Sequence, residues 1–187
     1  MRYYQLIESK NVLYHGDNFG TTDLQAKWML HGDSNNQEGV GIYFTPSFDV
    51  AQSYGEKVTA IDITGLNIKD SRGIVEDIVP DRDAIMLLKY LHEHDHKNDN
   101  SLWYMMTDYN IMVFEPSEVE DHHLVELHQK MKGTEIRNWQ IELTQASDVV
   151  TFVTGWNKYI GIDGLYERES KFYAIINTSI TSTPVNF

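Results

Sequence analysis

The chain has 187 residues, of which 41% are hydrophobic, enough for one domain around a single sizeable core. The absence of cysteine removes disulfides, thiolate nucleophiles and cysteine-ligated zinc together. A formal net charge of −13 argues against nucleic acid as a partner, because counterion release needs clustered Lys and Arg; a basic protein target and simple solubility are both compatible with it.

No run of apolar residues approaches the length of a membrane span, and residues 1–10 are polar and acidic where a signal peptide needs an apolar stretch, so a cytoplasmic protein is expected. Residues 12–15 read as a short strand, stopped by the turn signal Gly16-Asp17-Asn18. Residues 24–30 have a helical look, with Leu24 and Trp28 sharing a face, and 31–37 are a loop by composition. A second strand over 40–45 is entered through Gly39 and Gly41. Pro46 and Ser47 then start a short helix that runs to Tyr54 and ends at Gly55. Residues 58–63 form a third strand.

From about residue 70 to 155 the character changes to that of a helical insertion. Ile85, Leu87, Leu88 and Leu91 recur at helical spacing within 83–94, 97–101 is a polar loop, and 118–131 is another helix. The apolar runs 139–143 and 149–153 fit either helix or strand. At the C-terminal end, 161–167 reads as a glycine-hinged strand, 168–170 as a tight turn and 171–176 as a returning strand.

The single G-x-G, Gly39-Val40-Gly41, precedes a strand, whereas a dinucleotide fingerprint must follow a strand and open a helix, so a Rossmann site is excluded on context. His92, His94 and His96, and separately His122, His123 and His128, invite a metal reading. Helical geometry turns His94 away from its two neighbours, and no metal is expected. Tyr43 and Tyr54 flank a strand-turn-helix corner that can turn both rings towards one slot. Two tyrosine faces suit a flat cation, at about 0.5–2 kcal/mol each.

Val12-Leu13-Tyr14-His15-Gly16 and Gly41-Ile42-Tyr43-Phe44-Thr45 resemble the first two signatures of ADP-ribosyltransferases of the diphtheria-toxin type, and the Tyr43–Tyr54 spacing matches the family's nicotinamide-binding pair. Residues 161–180 look like the C-terminal hairpin of small phage-encoded members. The resemblance implies an α+β fold: a split, mainly antiparallel β-sandwich around an NAD cleft, in one domain over 1–187 with a helical insertion at about 70–155. It implies NAD as co-substrate, held by His15, Gly16, Tyr43 and Tyr54, with His15 on a ribose hydroxyl and Gly16 giving the backbone close access to the carboxamide. It implies a carboxylate that stabilises the oxocarbenium-like ribose. That role falls to Glu169, whose turn position leaves its carboxylate free to reach inward, with Glu167 in reserve.

Two positions depart from the family pattern. Phe172 stands before Tyr173 where relatives often carry a glutamate, and Ala51 stands where they often carry a serine; Ser47 and Ser53 are the nearest substitutes. The expected activity is transfer of a single ADP-ribose to a macromolecule, a host protein met by a phage or mobile-element effector. An inactive module of the same fold and an NAD glycohydrolase are the alternatives.

Overall fold

The computed structural model describes residues 11–20, 22–29, 39–94 and 101–185. Its strands are β1 (Val12–Asp17), β2 (Ile42–Phe44), β3 (Lys57–Asp62), β4 (Ile68–Asp70), β5 (Gly164–Tyr166), β6 (Tyr173–Ile175) and β7 (Thr183–Pro184). Its helices are α1 (Phe48–Tyr54), α2 (Val75–Ile78), α3 (Asp81–His94), α4 (Ser101–Asp108), α5 (Asp121–Met131), α6 (Ile136–Gln145) and α7 (Val149–Tyr159). The class is mixed α+β.

The strands divide into two sheets, ordered β1-β3-β7 and β2-β6-β5-β4. β1 and β3 pair antiparallel from Val12↔Asp62 to Asp17↔Lys57. β5 and β6 form the hairpin expected from the sequence, with Tyr166 opposite Tyr173, and β2 adds to β6 with Tyr43 opposite Ala174. β4 pairs parallel with β5, a departure from the antiparallel expectation. A parallel pair needs a long crossover, and the whole helical segment from α2 to α7 supplies it. The sheets meet where Tyr14 and Thr45 exchange backbone hydrogen bonds, both 2.8 Å.

The crossover helices form because their apolar residues recur at helical spacing, and α5 and α7 are also capped at their N-termini. α3 buries Ala84, Leu87, Leu88 and Leu91. At the start of α7 the Asp148 carboxylate accepts from the amides of Val150 and Thr151 at 2.9 and 3.0 Å. Glu120 and His123 form a reciprocal capping box at α5. The two apolar runs left open by periodicity are both helical, within α6 and α7, where Trp139, Leu143, Phe152, Val153 and Trp156 are buried in one core with Leu13 and Phe44 of the sheets.

The helix expected over 24–30 is a correction. Only a single 3-10 turn, Ala26–Trp28, forms, with extended backbone at Gln25 and Met29 and no side-chain cap to nucleate more. Leu24 and Met29 are buried from extended segments instead. The loops expected at 31–37 and 97–101 lie outside the described residues except for Ser101, which opens α4.

Candidate functional site

The first two sequence signatures come together at the seam between the sheets. His15, near the end of β1, donates from Nδ1 to the backbone carbonyl of Tyr43 on β2 at 2.8 Å. Its Nε2 lies 3.4 Å from an Asp17 carboxylate oxygen, and its ring tilts against Phe44 with centroids 5.4 Å apart. The side chain keeps 20% of its surface in solvent. The Asp17 carboxylate also accepts from the amides of Phe19 and Gly20, which fixes the turn behind the histidine.

Tyr43 is half-buried, and its hydroxyl donates to the carbonyl of Gly39. That carbonyl is available because Gly39 has φ +113°, a conformation that L side chains rarely adopt. The same lead-in is held from the crossover. Gln140 of α6, fully buried, accepts from the Val40 amide at 3.0 Å through Oε1.

Tyr54 sits at the C-terminal end of α1 and is 64% exposed. Its ring meets Phe172 edge-on, centroids 6.0 Å apart at 82°. Strand alternation carries Tyr43, Ala174 and, two residues before it, Phe172 to one face of the sheet. Phe172 thus shares a sheet face with Tyr43 and meets the ring of Tyr54.

Gly16 is also where α1 packs on β1. A Cβ there would lie 1.7 Å from the Ala51 carbonyl oxygen, so the missing side chain serves to seat α1 flush on β1. Ala51 is 1% exposed at that contact. The two nearby serines are also committed to α1: Ser47 caps it by accepting from the Val50 amide at 3.3 Å, and Ser53 donates to the Val50 carbonyl at 2.7 Å.

The two acids follow β5 and turn to the opposite edge of the sheet from β2. Glu167 is 2% exposed. It accepts from the Ser71 hydroxyl at 2.9 Å, from Arg72 at 3.2 Å and from Arg137 at 3.4 Å, while its other oxygen accepts from the Glu169 amide at 3.1 Å. Burial pushes its carboxyl up, but the Glu169 amide, Ser71 and Arg72 together outweigh that and hold it below the usual carboxylate range. Glu169 is 76% exposed, with its carboxylate 3.0 Å from the Arg72 guanidinium. The expectation that Glu169 is free to reach inward is corrected here: Arg72, following β4, draws it outward.

The histidine groups serve local structure. His94 donates to the Tyr90 carbonyl at 2.9 Å and stacks on its ring, His123 accepts from the Glu120 amide at 3.0 Å, and His128, fully buried, donates to Asp81 at 2.9 Å. His96 lies outside the described residues. Among the described residues, no group of three or more His, Asp or Glu could hold a metal ion, and no helix is long and apolar enough to cross a membrane.

Arg72, Arg137, Ser71 and Gln140 carry much of the polar organisation, and sequence reasoning passed over all of them. The partners of Ser71, Arg72 and Gln140 lie about a hundred residues away in the chain, and Glu167 lies 30 from Arg137, so local spacing does not advertise these links. The turn Asp70-Ser71-Arg72-Gly73 after a strand was the one available hint. Comparison of the chain with protein-family models, curated proteins and solved structures finds no match.

Proposed function

We propose that this chain binds NAD along the seam between its two sheets and transfers ADP-ribose from it to a protein acceptor, as a small mono-ADP-ribosyltransferase of the split-sandwich type. A phage or mobile-element effector working in a host cytoplasm fits its small size and acidic charge. The observation that carries the reading is the bond from His15 to the Tyr43 carbonyl. Two residues that the resemblance makes NAD ligands, 28 positions apart, belong to different sheets and still meet.

NAD supplies an electrophilic ribose carbon once nicotinamide leaves. The chain's own residues do the rest. Tyr54, 64% exposed, and Tyr43 bind the nicotinamide cation, each contributing about 0.5–2 kcal/mol. His15, with Nδ1 held by the Tyr43 carbonyl, turns its remaining nitrogen towards a ribose hydroxyl and Asp17. The Tyr43 hydroxyl, tied to Gly39, keeps its ring from rotating away. Glu169 is the acid that stabilises positive charge on the ribose; to reach it, the side chain must leave Arg72, an exchange that its exposure permits. Glu167, clamped by two arginines and Ser71, holds the turn.

A second reading, NAD binding without turnover, is favoured by one observation: both carboxylates are engaged by arginine, and Phe172 fills the position of the family acid. The experiment that separates the readings measures nicotinamide release and protein labelling with labelled NAD, beside calorimetric NAD affinity. Tyr43→Ala is expected to weaken NAD binding by about 1–2 kcal/mol with the fold retained. Glu169→Gln is expected to keep binding and slow nicotinamide release about a hundred- to a thousandfold. Unchanged affinity in folded Tyr43→Ala overturns the NAD site. Binding without release in the wild type selects the inactive module, and release without protein labelling selects a glycohydrolase.

A further inference from the structure

We propose that a ridge on the helical crossover, made by Met112 and Phe114 beside an acidic hollow, docks a segment of another protein that carries Lys or Arg together with apolar anchors. Residues 111–114 alternate sharply: Ile111 and Val113 are 3% and 8% exposed, whereas Met112 and Phe114 are 84% and 82% exposed. The outward pair is displayed by a pinned backbone. The Ile111 amide donates to the Met106 carbonyl at 2.9 Å, and the Trp103 indole donates to the Val113 carbonyl at 2.7 Å. The Phe114 amide donates to the Glu118 carboxylate at 3.2 Å, and Lys130 donates to the Tyr109 carbonyl at 2.8 Å. Both inward residues are buried in the main core, so the ridge cannot turn its apolar side chains inward without withdrawing them.

Two hollows run alongside. One, of about 520 Å³, lies against Thr107, Asn110 and the ridge itself. The other, of about 410 Å³, is lined by Tyr104, Asp108, Tyr109 and Glu142 among others. Tyr104 is a further exposed aromatic, at 58%. Large apolar side chains displayed together mark an interaction surface far more often than single ones do.

Charge identifies the partner. Residues 101–129 contain six Asp and Glu and no Lys or Arg. Lys89 pairs with Asp121, and Lys130, which also donates to the Tyr109 and Asn110 carbonyls, pairs with Glu126. That leaves Asp108, Glu115, Glu118 and Glu120 without a lysine or arginine partner among the described residues. Asp108 and Glu115 are exposed and enter no ion pair among the described residues. Glu142 accepts from the Tyr109 hydroxyl at 2.6 Å and presents its carboxylate to the hollow. A cationic side chain in that hollow and an apolar one against Met112 and Phe114 satisfy both features. A second copy of a chain with net charge −13 would bring like charge against like, and nucleic acid would do the same. The crossover is separate from the His15–Tyr43 seam, so this inference does not rest on the NAD reading.

The test is fluorescence anisotropy of the whole chain with three labelled peptides: alternating leucine and lysine, alternating leucine and glutamate, and alternating glycine and lysine. The leucine–lysine peptide is expected to bind at least about tenfold more tightly than the other two. The M112S/F114S double variant is expected to lose about tenfold, and the D108N/E115Q variant to lose a similar factor at low salt and little at ~0.5 M salt. These positions are exposed, and thermal melts check that the variants remain folded. Equal affinity of the leucine–lysine peptide for wild type and the M112S/F114S variant, or binding of none of the peptides, overturns the proposal. So does self-association by sedimentation that the M112S/F114S variant abolishes, which assigns the ridge to a second copy.

Discussion

The helical crossover and the strand seam use the same physical means to opposite ends. Among the described residues, nine of the twelve largest fully buried side chains lie in the crossover, including Trp139, Trp156 and Phe152; Leu13, Leu24 and Phe44 are the others. The seam holds more exposed polar and aromatic groups: His15 on the Tyr43 carbonyl, Tyr43 on the Gly39 carbonyl, and Tyr54 against Phe172. α1 packs on β1 and β3 through a small satellite core of Tyr14, Ala51 and Val58. The large buried side chains are therefore concentrated in one region and the candidate-site groups in the other. Polar links between the crossover and the sheets include Gln140 on Val40 and Arg137 on Glu167.

The sharpest way to break this division is Trp139→Ala. The residue is fully buried and packs at a tilt against Trp156 with ring centroids 5.7 Å apart, so its loss should cost about 3–5 kcal/mol in chemical denaturation. NAD affinity per folded molecule should be unchanged; if it falls in step with stability, the two regions are not separable.

Gly16→Ala probes the other side. The added methyl must displace the Ala51 carbonyl, and overpacking of this kind costs about 1–3 kcal/mol. Because α1 carries Tyr54, its displacement should impair NAD binding out of proportion to the loss of stability. A variant that melts early yet binds normally would mean that α1 does not position the ligand.

Glu167→Gln sharpens the junction and has the smallest expected effect, about 1–2 kcal/mol near neutral pH, since the amide keeps an acceptor for Ser71 while giving up the charge on Arg72 and Arg137. The Glu167 carboxyl is held below its ordinary value of 4.5, so its stabilising contribution is complete above that value and is lost as pH falls through the lower, folded-state value. Melting temperatures taken from about pH 5 downward should therefore drop less steeply in Glu167→Gln than in the wild type. Parallel acid profiles would remove Glu167 from the junction. Asp81, held down by His128 and Lys132, titrates with the same sign and supplies the common background.

Local pattern was enough for α1, because Ser47 as cap, Gly55 as stop and the short span between them are all near neighbours in sequence. The β5–β6 hairpin was legible for the same reason. The runs 139–143 and 149–153 were not, since β-branched and aromatic residues suit a strand as well as a buried helix, and the choice fell to the Asp148 cap and to packing between Trp139, Phe152 and Trp156. β4 and β7 have only three and two residues and owe their existence to partners far along the chain. In the candidate site, His15, Tyr43 and Tyr54 could be named from sequence. The destination of Glu169 could not, because Arg72 reaches it only once β4 lies beside β5. The sequence by itself determined the strand-turn-helix corner and the identity of the aromatic and histidine groups, both matters of short-range spacing, and its strand and helix segments agreed with the α+β class that the resemblance implied. The tertiary structure alone decided which carboxylate is buried, what Gly16 makes room for and which apolar residues remain outside, because each depends on long-range packing that brings distant backbone within a few ångströms.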